Sequence, residues 1–166
     1  MANEKVDEIK YKPIGIIHSE FTEKKDTPIQ GVFAKDAKGE IEVFPQYTPG
    51  LKDIEGFSHL ILIYHFHLSD GYSLVSMPFL EDEQHGIFSI RHFKRPNPVG
   101  LSVVKLEKVK GNMLEISEVD ILDGTPLLDI KPFVSRFDNR DDAKDGWLSN
   151  PHIDMVRGES GKHRGD

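Results

Sequence analysis

The chain has 166 residues, no cysteine and a formal net charge of −7, which is length enough for one well-cored domain and too little for two. The missing thiols exclude disulfides, thiolate nucleophiles and cysteine metal sites, and they suit a reducing compartment; the acidic balance excludes any blanket attraction to nucleic acid. MANEKVDEIK at the amino terminus has no apolar signal core, and the longest aliphatic run is LILI at 60–63, so the default expectation is a cytoplasmic protein without a membrane span.

In chain order, YKPIGIIHS reads as a strand followed by a polar loop to Pro28. GVFAKDAKGEIEVF reads as two strands around a Lys38-Gly39 turn, and YTPGLKDIEG as a short helix-like turn into the next strand. FSHLILIYHFH is long and apolar. Period-two alternation puts Phe57, His59, Ile61, Ile63, His65 and His67 on one face, and Ser58, Leu60, Leu62, Tyr64 and Phe66 on the other. His65 and His67 are spaced as a metal pair can be, but His59 lies about 20 Å back at roughly 3.3 Å per residue, so a metal needs ligands from elsewhere. Buried or rim histidines and ligand-contacting histidines are the other two readings.

GIFSIRHF, GLSVVKLEKV, NMLEISEVDIL and LLDIKPF extend the series of strands, with Pro, Gly and Asp-Gly between them. VDILDGTPLLDIKPF reads as a hairpin turning at Asp123-Gly124. Its returning strand would align Leu127, Asp129, Lys131 and Phe133 on one face, where the two charges either pair in the interior or line a pocket. Short strands at regular spacing predict an all-β antiparallel barrel of about seven strands over residues 1–134, with a polar carboxy-terminal tail over 135–166. A G-x-G-x-x-G loop and a Walker loop are both absent, so the usual wound nucleotide fold is not expected.

Two features bear on chemistry. Between Arg91 and Lys110 the chain carries Arg91, Lys94, Arg95, Lys105, Lys108 and Lys110 against Glu107 alone; this is either a solvated strand face or a docking patch for phosphates. RPNPVGLS at 95–102 fixes two prolines around an asparagine, which restricts consecutive backbone positions and aims Arg95 and Asn97. Such a turn can equally be a plain strand connector.

FSHLILIYHFH, GIFSIRHFKRPNPVGLSVVKL and VDILDGTPLLDIKPFV, with IGIIHSEF and TPIQ upstream, together resemble the TsaA-like family, also called TrmO or YaeB-like. The likeness covers roughly Tyr11 to Val134. It implies an S-adenosylmethionine-binding β-barrel, usually a homodimer, that methylates N6 of threonylcarbamoyl-adenosine next to the anticodon of threonine tRNA, with no metal. Carried over by position, the resemblance implies cofactor contacts from Pro28, Ile29, Gln30, His67, Leu68, Arg91, Leu101, Asp120, Ile121, Leu122, Asp123, Gly124 and Thr125. The family's PRQ loop is Pro-Ile-Gln here, Leu68 stands where the family has a polar residue, and the neighbours of Arg91 differ. Many bacterial members also continue into a second domain, where this chain has about thirty polar residues after Val134.

On that footing Asn97 is the candidate to accept a hydrogen bond from the N6 hydrogen, and Asp129 the candidate proton acceptor, directly or through water. Lys94, Arg95, Lys105 and Lys108 are the candidate tRNA phosphate contacts. Two further readings stay open: a cofactor-binding module of the same fold with another substrate or no catalysis, and a metal-dependent hydrolase built on His65 and His67.

Overall fold

Alternating apolar residues generate the barrel. A computed structural model describes residues 7–28, 35–78 and 82–149. Its strands are β1 (Gly15–Ser19), β2 (Lys38–Val43), β3 (His59–His65), β4 (Val75–Ser76), β5 (His85–Gly86), β6 (Val99–Lys110), β7 (Met113–Ser117) and β8 (Thr125–Pro132). Six of them close in the order β1-β2-β7-β6-β3-β8, and β4 and β5 form a separate two-stranded hairpin. All barrel neighbours are antiparallel. The expected all-β architecture therefore holds, with six barrel strands in place of about seven. Among the described residues no helix is long and apolar enough to cross a membrane.

The phase expected for β3 is the one observed: Leu60, Leu62 and Tyr64 are buried, whereas His59, Ile61, Ile63 and His65 point outward and are half-buried. Inside, they meet Ile17, Ile41, Val43, Val104, Leu114, Ile116 and Leu127. Two short 3-10 turns, Pro45–Leu51 and Ile54–Gly56, carry the chain from β2 to β3 and press Leu51 and Ile54 against this core.

Four local expectations change, each for a physical reason. GIFSIRHF is not a full strand: Ile87 and Ile90 are both buried, and a spacing of three turns the chain into a 3-10 step at Ile87–Ser89. Lys38-Gly39 is not a turn but the start of β2. Gly39 is needed there for close approach, since a Cβ would lie 2.5 Å from the His18 carbonyl oxygen. The first of the two strands proposed around it falls partly outside the described residues.

Asp123-Gly124 does not close a hairpin, because β7 lies between β2 and β6 while β8 lies between β3 and β1. Residues 118–124 instead cross one end of the barrel. Val119 and Ile121 drop into the core, and the Asp123 and Gly124 amides donate to the carbonyls of Phe21 (2.8 Å) and Ile17 (2.9 Å).

The fourth change is in β8. Its register with β3 shifts, so that Tyr64 faces Leu127 while Ile63 faces Asp129, with Leu128 as the extra residue. A bulge of this kind reverses the alternation beyond it. Leu127 and Ile130 accordingly serve the core, and Asp129 and Lys131 pair on the surface at 2.7 Å instead of sharing a face with Leu127.

Candidate functional site

Where β3 ends and the 118–124 crossing passes over the barrel, a cleft opens. β3 and the residues after it supply Tyr64, Phe66, His67, Leu68 and Ser69; the crossing supplies Asp120, Ile121 and Leu122, with Thr125 at the start of β8. Lys24, Thr27 and Phe93 complete the lining. Three of the lining residues, Tyr64, Phe66 and Phe93, bring aromatic rings into contact. Phe66 meets Tyr64 edge-on at 5.5 Å and Phe93 at 6.3 Å, and the Lys24 ammonium lies 4.0 Å over the Phe93 ring while donating to the Leu68 carbonyl at 2.9 Å.

The RPNPVG turn is tied to the cleft wall at Phe66. Phe66 N–H donates to the Pro98 carbonyl at 2.8 Å and Val99 N–H to the Asn97 carbonyl at 2.7 Å, so main-chain bonds close the turn, and Asn97 is left exposed. Arg95 points inward: its Nη1 donates to the carbonyls of Ile90 (2.8 Å) and His92 (3.3 Å). Gly100 follows because the aromatic pair occupies the space of a side chain there. A Cβ would stand 2.6 Å from Tyr64 Cζ and 2.8 Å from Phe66 Cζ.

One carboxylate lines the cleft, and it is held. Ser102 Oγ donates to Asp120 Oδ1 at 2.6 Å and lies 2.8 Å from the Tyr64 hydroxyl. Because the serine's single proton goes to Asp120, the tyrosine O–H donates to Ser102. Burial first, and then the Asp120 carboxylate, raise the Tyr64 phenol well above its ordinary range, so it stays protonated. His67 is shifted the other way, by burial and then by the neighbouring His65, which keeps it neutral near neutral pH.

Of the residues singled out from sequence, His67, Leu68, Asp120, Ile121, Leu122 and Thr125 line this cleft. Pro28 is buried beside Thr27, while Ile29 and Gln30 lie outside the described residues. Arg91 is exposed and close enough to act electrostatically on Tyr64. Asp123 is not among the lining residues: its Oδ1 accepts the Ser19 amide at 3.0 Å and lies 3.7 Å from His18 Nδ1, while Ser19 Oγ donates to the Ile121 carbonyl at 2.5 Å. Together with Gly124, whose φ is 78°, Asp123 ties the crossing to β1 and so shapes the cleft from behind.

Leu101 and Asp129 are not brought to the cleft. Leu101 is 48% exposed, opposite Ile63 on the outer face, because Gly100, Ser102 and Val104 take the inward positions of β6. Asp129 lines a different cleft with Tyr47 and Phe57, paired to Lys131, and no proton-acceptor role is assigned to it. The basic stretch is divided as well. Lys94 and Arg95 sit beside the cleft, but Lys105 and Lys108 lie further along β6, about 20 to 30 Å from Val99 at roughly 3.3 Å per residue, with Lys105 3.7 Å from Glu107.

Tyr64, Phe66 and Ser102 were visible in the sequence only as strand residues, although alternation already put the two aromatics on one face with Leu60 and Leu62. Lys24, Thr27, Ser69 and Phe93 come from irregular segments with no period to betray them. Among the described residues no group of three or more histidine and acidic side chains is arranged to hold a metal ion.

A family profile, the tRNA-methyltransferase O N-terminal domain, matches residues 16–139. A Pyrococcus abyssi protein named "Probable S-adenosyl-L-methionine-binding protein" is 59% identical over 138 residues, which cover 83% of this chain and 75% of that one. The mouse tRNA (adenine(37)-N6)-methyltransferase is 36% identical over 135 residues, 77% of this chain and 31% of the mouse protein. The crystal structure of TrmO from Pseudomonas aeruginosa superposes with a TM-score of 0.72 at 37% identity, covering 84% of this chain and 62% of that chain. The chain thus spans less than two thirds of the latter two proteins.

Proposed function

The chain belongs to the family of the tRNA-methyltransferase O N-terminal domain, and from that premise we propose that it is an S-adenosylmethionine-dependent tRNA methyltransferase whose cofactor occupies the cleft beside Phe66 and Asp120. The finer reading is methylation of N6 of threonylcarbamoyl-adenosine next to the anticodon of threonine tRNA. One observation carries it: the residues that the resemblance points to, His67, Leu68 and Asp120 to Leu122, converge on a single cleft floored by aromatic rings. Such walls suit an adenine ring and a sulfonium cation, which electron-rich ring faces attract.

Within this reading the cofactor supplies an activated methyl group, and the protein's part is to hold and aim. The cleft desolvates the cofactor, Asp120 offers a fixed acceptor, and Asn97 is the residue assigned to meet the incoming base. Mass spectrometry of threonine tRNA incubated with the purified full chain and S-adenosylmethionine tests it. A methyl gained on threonylcarbamoyl-adenosine supports the finer reading. Cofactor binding without methyl transfer to any tRNA would leave the chain as a cofactor-binding module of the same fold.

For the tRNA surface, the division of the basic stretch gives different expectations along it. Lys94→Ala should weaken tRNA binding for all sequences alike and flatten its salt dependence by about one unit of slope. Lys105→Ala should do less, since Lys105 lies about 20 Å along β6 from Val99, away from the cleft. Filter binding at a series of salt concentrations reads both; equal slopes for Lys94→Ala and the unaltered chain would remove Lys94 from the interface.

The homodimer remains part of the proposal. A closed barrel has no free edges that need a second copy; what supports pairing is the exposed apolar side chains of Tyr72 (63%), Met77 (53%) and Phe88 (79%). Light scattering at micromolar concentration should give twice the chain mass, and a monomer there removes the claim.

A further inference from the structure

The hydrogen-bonded row Tyr64–Ser102–Asp120 runs from the core of the barrel into the cleft. Tyr64 is 5% exposed and Ser102 3%. Burying two hydroxyls among Leu62, Val104 and Leu127 costs free energy unless each is satisfied, and apolar side chains could have filled the same interior positions without it. The two hydroxyls satisfy one another in a fixed direction: the tyrosine proton is committed to Ser102 Oγ, and the serine proton to Asp120 Oδ1. The row ends at the carboxylate that lines the cleft with Ile121, Leu122 and Phe66. Ser102 is on β6 and Tyr64 on β3, paired strands of a closed barrel, so neither donor can drift. Asp120, by contrast, belongs to the irregular crossing 118–124, which has no strand ladder of its own to fix it.

We propose that Tyr64 and Ser102 are positioning residues that act through Asp120, orienting its carboxylate to take hydrogen-bond donors of the bound cofactor. The inference rests on the cofactor reading above and adds to it a rigid barrel anchor for a group on an irregular segment. Preset orientation of a charged acceptor spares the ordering that binding would otherwise have to impose. Ser102 then contributes to affinity although it makes no contact of its own with the ligand.

A double-mutant cycle on the full chain, with S-adenosylmethionine titrated in a calorimeter, separates this from a merely structural role. Asp120→Asn should weaken binding about thirtyfold, as loss of a charged partner in a desolvated site does. Ser102→Ala should weaken it about tenfold, the range for a hydrogen bond to a charged group. Tyr64→Phe, which removes one oxygen and keeps the ring, should weaken it about threefold. The decisive comparison is the pair: in Asp120→Asn, adding Ser102→Ala or Tyr64→Phe should cost almost nothing more. Additive losses, or wild-type affinity in Ser102→Ala, would overturn the inference. Should Ser102→Ala fail to fold, the Tyr64→Phe and Asp120→Asn cycle decides alone. Wild-type protein that binds no S-adenosylmethionine would overturn the cofactor reading itself, a result distinct from any of these.

Discussion

Gly100→Ala is expected to lower stability by about 2 kcal/mol, within the range for overpacking a filled interior, and to weaken cofactor binding at least tenfold. The added methyl would stand 2.6 Å from Tyr64 Cζ and 2.8 Å from Phe66 Cζ, well inside carbon–carbon contact distance. Neither ring has an easy retreat. Tyr64 is buried and bonded to Ser102, and Phe66 is held edge-on by Tyr64 and Phe93. Relief must come from moving Phe66 into the cleft or from parting β6 and β3, and either route deforms the binding surface. Gly56→Ala is the matched control, because nothing lies within 4 Å of a Cβ there; it should stay within about 0.5 kcal/mol. Urea unfolding and cofactor titration of both variants check the claim. A Gly100→Ala protein as stable as the control would show that the rings yield and that this glycine is not what shapes the cleft.

The same contact explains what could be read from the sequence and what could not. Alternation in FSHLILIYHFH places Leu60, Leu62 and Tyr64 on one face, and the barrel follows from several segments of that kind, because period two is a local property of a strand. Pairing is not local. Asp123-Gly124 has the composition of a hairpin turn, yet its flanking segments join different neighbours, since 118–124 spends two buried side chains, Val119 and Ile121, on closing the barrel end. Asp129 was misplaced by one extra residue at Leu128, which has no mark in the sequence and reverses every face after it. Within the cleft, the positions given by resemblance arrived together because they sit on β3's end and the crossing. Lys24 and Phe93 are added by segments that fold over from elsewhere, while Ser102 stays buried behind the wall, on a strand whose inward phase starts at Gly100.

Asn97→Ala is expected to lower the methylation rate ten- to a hundredfold with cofactor and tRNA affinities nearly unchanged. In the proposed reaction the cofactor would supply an activated methyl group to N6, and the N6 hydrogen would leave as a proton to solvent. N6 would become more positive as it gains the methyl and before it loses the proton, so an amide oxygen accepting that hydrogen would stabilise the transition state more than the ground state. We assign this part to Asn97. Flanking prolines restrict its backbone, the turn closes through the carbonyls of Asn97 and Pro98, the latter bonded to Phe66 of the cleft wall, and the residue is exposed. Because closure uses main-chain atoms, alanine should leave the turn intact, and the loss should appear in the chemical step. Single-turnover measurements with saturating S-adenosylmethionine and threonylcarbamoylated tRNA separate that step from binding. A wild-type rate in Asn97→Ala would reduce RPNPVGLS to a connector whose work is to deliver Gly100 beneath the aromatic pair.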